Sequence, residues 1–501
     1  MGADADGAAA AAQPAGAHAA EHHARAKYVR ILLAVGLGII LEWYDFVVFS
    51  NLSAVITKSF FPPGDAATEA LLFWGVFAMG FVARPVGSIL FGHIGDVHGR
   101  KPCLVATVSI MGVATVLIGC LPTYHMIGIA APVLLALLRI VQGLAMGGEF
   151  GCSLVYLHEV APARRKGLSG ALGFAAAIGG IAFGVALVMI MTAACSAAQL
   201  ALWGWRVPFL LAFVTASAAM LMRLHMEEPE EWRAAKRREA EDALRSASPT
   251  PRSSSGAGKA DAALPGPAAA APPRLARLRA APFVALVSGH WWSLLLQFLF
   301  EASVSVSFWL CTSYLPSFFQ SKVGLAPELS LGMLLANLGA MVPAIVGAGW
   351  LADRPGFPRV AWAVGAYVLS GAMCVPMFLA WEITKSVAAC WLLMLAYMLL
   401  LSAVLGVLPV SMSCLYPPTQ RASGFNFAHN CAMSLMGGLA PTVVTAISVT
   451  TSNTVTAPGW YMLAVTLVSI LAGAAIIFVA PEANRDRKAG GADADMAVDM
   501  A

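Results

Sequence analysis

The chain has 501 residues, of which 59% are hydrophobic and only 12% are charged, and its formal net charge is +4 at pH 7. Soluble domains carry about 25% charged residues, so this composition excludes a soluble protein and predicts one embedded in a lipid bilayer. The small, dispersed positive charge gives no indication of nucleic-acid binding. The nine cysteines have the spacing of neither a disulfide framework nor a metal site.

Twelve apolar segments follow one another along the chain, each near the length of about 20 residues that a membrane-spanning helix needs. They lie at 29–56, 70–94, 102–121, 127–150, 168–193, 205–225, 283–312, 329–351, 359–381, 387–412, 423–448 and 459–480. The sequence therefore predicts an all-α membrane protein with twelve transmembrane helices in two six-helix bundles.

The segments before, between and after the bundles differ in composition. Residues 1–28 are Ala-rich and predict a disordered cytoplasmic tail ahead of the N-terminal bundle, 29–225. Residues 226–282 begin with an acidic segment and a basic helical run, then become rich in Ala, Pro, Ser and Gly, as is typical of a flexible linker. The C-terminal bundle, 283–480, precedes a second cytoplasmic tail, 481–501.

The positive charges predict the orientation. If both termini are inside, 25 of the 31 Lys and Arg residues fall in the tails, the linker and the loops on the inner side. Such an asymmetry is the usual sign of cytoplasmic loops. We therefore expect both termini and the linker in the cytoplasm, and the chain in a plasma membrane or bacterial inner membrane.

A short loop motif, Gly-x3-Asp-x2-Gly, occurs once in each predicted bundle. The first copy runs from Gly92 to Lys101 and is called the first hinge; the second runs from Gly349 to Arg359 and is called the second hinge. A charged hinge repeated between membrane spans predicts two halves that move against each other. The second hinge lacks the basic pair that follows Gly99, so we expect the two hinges to gate unequally.

The hinges resemble the signature of the major facilitator superfamily. Five further segments resemble its metabolite:proton symporter branch, which includes permeases for α-ketoglutarate, citrate, shikimate and proline/betaine. They are Leu41–Phe46, Arg84–Gly87, Arg139–Glu149, Tyr156–Gly167 and Trp203–Phe209. The resemblance implies a proton-coupled transporter that works by alternating access. It is concentrated in the N-terminal half, and the short C-terminal tail does not supply the coiled coil typical of the proline/betaine type.

Three charged residues lie inside the first two predicted helices, where each costs at least about 2.5–3.5 kcal/mol on insertion scales. Glu42 and Asp45 are three residues apart and share one helix face, so a shared environment would favour protonation of one of them. We expect them to carry the coupling proton, with H+ rather than Na+ as the coupling ion. Arg84 is expected to hold an anionic substrate group or one of these acids. A buried ion-pair network that only fixes helix packing is the alternative.

Two more residues are candidate substrate ligands. Arg206 follows two tryptophans at the outer end of the sixth helix, where it either binds a substrate carboxylate or anchors the helix at the interface. His429 precedes Asn430 in a span rich in small residues and either lines a cavity or packs in the core. Glu301 and His290 are the other titratable side chains noted in the C-terminal spans.

A gating network at the cytoplasmic face is implied by the resemblance, and it would lock the outward-facing state. The assigned residues are Gly92, Asp96, Gly99, Arg100, Lys101, Arg139, Glu159, Arg165, Asp353 and Arg354. Loop charges that only set topology are the alternative. Arg139 and Glu149 are ten residues apart on one helix, too far to pair, so each is expected to bind a partner on another helix.

These features predict a proton-coupled symporter of a small organic carboxylate, and no enzyme. The expected partners are a small metabolite and the lipid bilayer, with a monomeric transport unit, no nucleic acid and no cofactor other than the coupling ion. Two rivals remain open: a symporter of zwitterionic osmolytes such as proline or betaine, and a non-transporting membrane sensor that uses the 226–282 loop. The sequence leaves the substrate itself undecided.

Overall fold

The computed structural model describes residues 15–247, 282–450 and 455–485. Within these ranges it contains twelve helices that are long and apolar enough to cross a membrane, which confirms the predicted number. We number them α1 to α12 in chain order.

The N-terminal bundle contains α1 Ala15–Asn51, α2 Ala66–Val97, α3 Arg100–Cys120, α4 Ala130–Val160, α5 Lys166–Ala194 and α6 Arg206–Leu224. The C-terminal bundle contains α7 Pro282–Trp309, α8 Pro327–Ala352, α9 Arg359–Thr384, α10 Val387–Ser413, α11 Arg421–Cys431 and α12 Ala457–Val479. A separate linker helix, Glu230–Ala247, follows α6.

Two membrane helices of the C-terminal bundle contain widened turns. Beyond Trp309, α7 continues through wide turns at Leu310–Tyr314 and Phe319–Val323, so it extends past the predicted end at 312. α11 continues through a wide segment, Ala432–Gly438, into a last helical piece, Ala440–Thr450. Such interruptions of regular helix are frequent at functional sites.

Some boundaries differ from the sequence predictions. α1 already begins at Ala15, so residues 15–28 are helical rather than disordered, and residues 1–14 lie outside the described ranges. α4 runs to Val160 because His158 and Glu159 are buried in protein there, and helical structure continues past the apolar segment. The basic run of the linker forms the linker helix as expected, whereas 248–281 lie outside the described ranges.

The most extensive contacts between the two bundles are made by two helix pairs. α2 packs against α11, and α5 packs against α8, so the hinge-bearing helix of each half meets a helix of the other half. A continuous apolar core fills both bundles and includes the aromatic rings of Trp43 in α1 and Trp309 in α7. This arrangement places the candidate site between the bundles.

Candidate transport site and hinge clusters

Asp45 lies in the last two turns of α1 and is bound by α4. Arg139 Nη1 donates to Asp45 Oδ2 at 3.1 Å, and Gln142 Nε2 donates to the same oxygen at 3.0 Å. The guanidinium carbon of Arg139 lies 3.4 Å from the centre of the Phe49 ring. The expectation that Arg139 binds a partner on another helix is confirmed. Its location differs from the predicted one, because it lies with Asp45 inside the bundle and not in the hinge network.

Glu42 is bound by a different arginine, from α2. Arg84 Nη2 donates to Glu42 Oε1 at 3.1 Å, while Arg84 Nε donates to Asn430 Oδ1 in α11, also at 3.1 Å. Arg84 therefore joins the two bundles at the level of the buried acids. We expected Glu42 and Asp45 to share one environment. In the structure each acid instead binds its own arginine, Arg84 of α2 for Glu42 and Arg139 of α4 for Asp45.

A cavity lies between α2 and α4 beside these pairs. Its lining includes Arg84, Arg139 and Gln142 together with apolar side chains such as Phe46 and Phe81. Arg84 Nη1, and both Nε and Nη2 of Arg139, are buried and have no hydrogen-bond partner within the described residues. Buried donors of this kind are satisfied by an anion with oxygen acceptors. We call this space the arginine cavity.

A second cavity lies between the bundles and is called the central cavity. It is lined by Trp43, Phe174, Ala177, Ile178, Glu301, Val304, Phe308, Leu405, Leu408, His429 and Met433. Glu301 and His429 are the charged or titratable members of this lining, and they contact each other. The structure thus brings His429 to a cavity, as one of the two sequence interpretations expected.

A further buried ion pair holds the N-terminal bundle together. Arg223, at the end of α6, donates through Nη1 to Glu149 Oε2 at 2.8 Å, and Thr107 also donates to that carboxylate. The expectation that Glu149 finds its partner on another helix is confirmed. Arg223 was not singled out from the sequence because it lies at the very end of the sixth apolar segment, 205–225, and counts with the charges of the linker.

The first hinge forms an ion cluster on the membrane face that we predict to be cytoplasmic, here called the hinge face. Arg100 is fully buried and binds Asp96 at 2.7 Å and Glu159 through two hydrogen bonds of 3.0 and 3.1 Å. Arg421 of the C-terminal bundle binds Glu159 at 3.2 Å and Glu231 of the linker helix at 2.8 Å. Both bundles and the linker helix therefore meet in one cluster, and the hinge face is closed.

Asp96 also caps a helix of the other bundle. Its carboxylate accepts from the backbone N–H groups of Ala422 and Ser423, at 3.2 and 2.9 Å, in the first turn of α11. A carboxylate at a helix N-terminus satisfies free donors and interacts favourably with the helix dipole. Gly92 allows the close approach of α2 and α11, since a Cβ there would lie 2.9 Å from the Cα of Ser423.

The second hinge makes the equivalent capping contact, from the C-terminal bundle to a helix of the N-terminal bundle. Asp353 accepts from the N–H groups of Gly167 and Leu168, at 2.6 and 2.8 Å, in the first turn of α5. Arg359 Nε donates to the carbonyl of Ala352 at 2.9 Å, just as Arg100 Nη1 donates to the carbonyl of Gly95 at 2.6 Å. The predicted inequality of the hinges therefore does not extend to their helix-capping contacts.

Besides Arg139, three residues of the predicted gating set lie outside these contacts. Arg354 is exposed, with its guanidinium carbon 4.1 Å from the centre of the Trp350 ring. The position beside the helix end that was expected for Arg354 is taken by Arg359. Arg165 is exposed on the short turn before α5. Lys101 contributes its backbone N–H, which donates to Glu228 at 2.9 Å.

The residues that sequence reasoning missed at the hinge face are single charges beside loops. They are Arg359, Arg421, Glu228 and Glu231. Gly99 adopts a φ of +115°, and Glu228 sits against it while accepting from the N–H of Arg100 at 2.8 Å. Only Glu228 and Glu231 had a signal, because they belong to the acidic segment that opens the linker.

Arg206 has a different role from the predicted substrate contact. Its Nη1 donates to the backbone carbonyls of Gly119 and Leu121, both at 2.8 Å, and its guanidinium carbon lies 4.4 Å from the Trp205 ring centre. It satisfies the carbonyls at the C-terminal end of α3 and lines neither cavity. The anchoring interpretation is the one that this geometry supports.

Two six-helix bundles, with buried ion pairs and cavities between their helices and a capped hinge in each half, define a multi-pass membrane transporter of the major facilitator type. Residues 31–486 match the model of the Sugar (and other) transporter family, and the chain belongs to that family. It is a transporter and not an enzyme.

Two curated relatives cover most of the chain. The α-ketoglutarate permease of Escherichia coli (strain K12) is 31% identical over 447 residues, which are 88% of this chain and 92% of that protein. The glycine betaine/proline/ectoine/pipecolic acid transporter OusA of Dickeya dadantii (strain 3937) is 27% identical over 460 residues, which are 92% of this chain and 84% of that protein.

Solved structures share the fold at lower identity. The proton:xylose symporter XylE bound to 6-bromo-6-deoxy-D-glucose is 16% identical and superposes with a TM-score of 0.70, covering 91% of this chain and 96% of that one. The human organic anion transporter MFSD10 is 15% identical with a TM-score of 0.59, covering 89% and 99%.

Proposed function

We propose that this protein is a proton-coupled symporter of small organic carboxylates, such as dicarboxylates, in a plasma membrane or bacterial inner membrane. The observation that carries the proposal is the arginine cavity, which is lined by Arg84 and Arg139; three of their buried guanidinium nitrogens have no hydrogen-bond partner within the described residues. A guanidinium binds a carboxylate through parallel hydrogen bonds. The 31% identity to an α-ketoglutarate permease supports the same substrate class.

Coupling to a proton follows from competition for the two arginines. Glu42 and Asp45 each use one oxygen to bind an arginine, while Glu42 Oε2 and Asp45 Oδ1 have no partner within the described residues. Protonation of either acid removes its charge and frees its arginine to bind a substrate carboxylate. One proton then enters for each substrate carboxylate that binds an arginine, and the buried site keeps its net charge.

Alternating access follows from the contacts that join the bundles. On the hinge face the bundles are held by the helix caps of Asp96 and Asp353, and at the level of the acids by Arg84 and Asn430. Trp309 of α7 packs against Phe46 and Phe81 of the N-terminal bundle, with ring centres 4.9 and 5.3 Å apart. Rocking of the bundles about a central site would break one set of contacts while keeping another.

The osmolyte rival has one observation in its favour. Glu301 lines the central cavity together with the aromatic rings of Trp43 and Phe308, and a carboxylate beside aromatic faces suits a quaternary amine. His429 occupies one oxygen of Glu301, however, and the free donors of the arginine cavity call for an anion. We therefore favour the carboxylate.

Uptake into proteoliposomes tests the proposal. An inward proton gradient without a sodium gradient should drive accumulation of α-ketoglutarate, and an equal sodium gradient alone should not. Arg84→Gln and Arg139→Gln should each reduce affinity about tenfold or more, because a hydrogen bond to a charged group contributes roughly 1.5–3 kcal/mol. Arg354→Gln, an exposed arginine outside both cavities, is the matched control. Accumulation of betaine or proline, with α-ketoglutarate excluded, would overturn the proposal in favour of the osmolyte rival.

A further inference from the structure

Glu301 and His429 form a buried acid–imidazole pair that the coupling scheme above does not use. His429 Nδ1–H donates to Glu301 Oε2 at 2.6 Å, which ties α11 to α7. Gln297, one turn before Glu301, donates to the other carboxylate oxygen at 2.7 Å. Both oxygens of Glu301 are thus engaged, and the carboxylate fixes the orientation of the imidazole.

The second ring nitrogen of His429 is the free end of this pair. Nε2 is buried and has no hydrogen-bond partner within the described residues, and the side chain as a whole is 2% exposed. The ring lies among Phe150, Phe174 and Phe425, with centres 5.2, 6.3 and 5.9 Å away. Its hydrogen-bond partner among the described residues is Glu301, and the side chain lines the central cavity. An unpartnered polar atom in such a position is suited to a ligand.

The pair differs chemically from the other buried ion pairs inside the bundles. Glu42, Asp45 and Glu149 are each bound by an arginine, which keeps its proton at any physiological pH. Histidine ordinarily gains and loses its charge between about pH 5 and 8. In the part of the membrane region that the structure describes, this is the ion pair whose cationic partner can bind and release a proton.

Other charged and titratable groups act on this pair from neighbouring elements. Tyr367 of α9 and Tyr416, in the loop before α11, both interact electrostatically with Glu301. Asn430, the next residue after His429, accepts from Arg84, which in turn binds Glu42. The faces contributed by α4, α5 and α10 consist of apolar side chains such as Phe150, Phe174 and Leu405.

We propose that Glu301 and His429 form a second proton site, in the C-terminal bundle, and that protonated His429 donates from Nε2 to a carboxylate oxygen of the substrate in the central cavity. The proton comes from the solution on the side where the cavity opens and binds Nε2, while Glu301 stabilises the imidazolium through Nδ1–H. On the opposite side the same proton returns to solution as the carboxylate leaves. This inference deepens the proposed carboxylate symport and rests on it.

The affinity for α-ketoglutarate as a function of pH tests the site. With purified protein between pH 6 and 8.5, the wild type should lose affinity by up to tenfold per pH unit for each proton taken up with the anion. His429→Gln should lower this slope by one proton and weaken binding at pH 6 about tenfold. In Glu301→Gln the pH range over which affinity falls should move to lower pH, because the imidazolium loses its counter-ion. His125→Gln, which removes an exposed histidine, is the matched control.

A measurement without substrate separates this inference from the proposed function. In protein labelled with 15N-histidine, the signal lost in His429→Gln should titrate between about pH 5 and 9, and Glu301→Gln should move its midpoint. If that variant does not fold, the signal shifted by Glu301→Gln identifies the residue instead. If the protein binds no carboxylate but shows this titration, the proposed function is contradicted and the second proton site is not. An imidazole that never titrates, or an unchanged pH slope in a folded His429→Gln, overturns the second proton site.

Discussion

Asp96 and Asp353 occupy equivalent positions in the two hinges, and each caps the first turn of a helix in the opposite bundle. Asp96 accepts from the second and third N–H groups of α11, and Asp353 accepts from the second and third N–H groups of α5. The two contacts are related by the internal repeat, although the sequences between and after the hinge acids differ. They form a reciprocal latch that closes the hinge face.

The latch predicts that the two acids contribute comparably to closure. Removing the negative charge of a carboxylate from a helix N-terminus costs roughly 0.3–2 kcal/mol, so Asp96→Asn and Asp353→Asn should each shift the closed state toward opening by about 2- to 30-fold. Cys152 is a native reporter, because it is buried in α4 under Asn426 of α11 at 3.1 Å. Its rate of labelling by a maleimide, followed by mass spectrometry, should rise in both variants.

Arg354→Gln serves as the control for this measurement, since that side chain is exposed beside the second hinge. Faster labelling in Asp96→Asn together with an unchanged rate in Asp353→Asn would show that the hinges gate unequally, as the sequence alone suggested.

The second prediction separates the two arginines of the second hinge. Arg359 is 4% exposed and donates to the carbonyl of Ala352, whereas Arg354 is exposed and stacks on Trp350. Arg359→Gln should therefore lower the melting temperature by several degrees, and Arg354→Gln should leave it within about one degree, because buried networks dominate large mutational effects. Equal losses in the two variants would contradict this assignment.

The sequence predicted the architecture because the bilayer enforces it. The length and hydropathy of the segments determine twelve helices, and the repeated Gly-x3-Asp-x2-Gly motif locates both hinges. Charges inside apolar segments pointed to Glu42, Asp45 and Arg84, since few reasons other than pairing or function keep a charge in a membrane.

The partners of those charges were not predictable from the sequence, because helix packing and loop geometry decide them. In the second hinge a loop with Gly356 at φ +75° separates Asp353 from Arg359 by six positions, compared with four between Asp96 and Arg100. Position 357, four residues after Asp353, is a phenylalanine, so the sequence pointed to Arg354, which adjoins Asp353, and not to Arg359. Glu301 and His429 lie 128 residues apart, and only the packing of α7 on α11 brings them together.

The third prediction concerns pH and the linker helix. Burial tends to raise the pKa of Glu231, but the charges of Arg421 and Lys166 outweigh it, so the pKa lies below its usual value. A carboxyl with a lowered pKa contributes stability that is present above about pH 4.3, the ordinary value for Glu, and is lost as the pH falls through the lowered pKa. The linker helix should therefore stay attached at neutral pH and detach in acid.

Hydrogen–deuterium exchange of the peptide over 230–247 measures this attachment. Exchange, corrected for the intrinsic effect of pH, should increase below about pH 4, and Glu231→Gln should show the increase already at pH 7. Glu239→Gln is the control, because the partner of Glu239 among the described residues is Lys236 of the same helix, at 3.0 Å. Protection that is the same in Glu231→Gln and the wild type at pH 7 would contradict the role of the ion pairs with Arg421 and Lys166.

The last prediction distinguishes a structural arginine from one that binds substrate. Arg206 satisfies two carbonyls at the end of α3 and stacks on Trp205, outside both cavities. Arg206→Ala should therefore destabilise the folded protein by about 1 kcal/mol, as expected for lost hydrogen bonds at a partly exposed site, while the affinity for α-ketoglutarate stays within about twofold. Thermal unfolding and equilibrium binding on the same preparation give both values, with Arg84→Gln as the opposite case. A tenfold loss of affinity with an unchanged melting temperature would show that Arg206 binds substrate. Because Arg206 lines neither cavity, that result would require a further binding site at the outer end of α6.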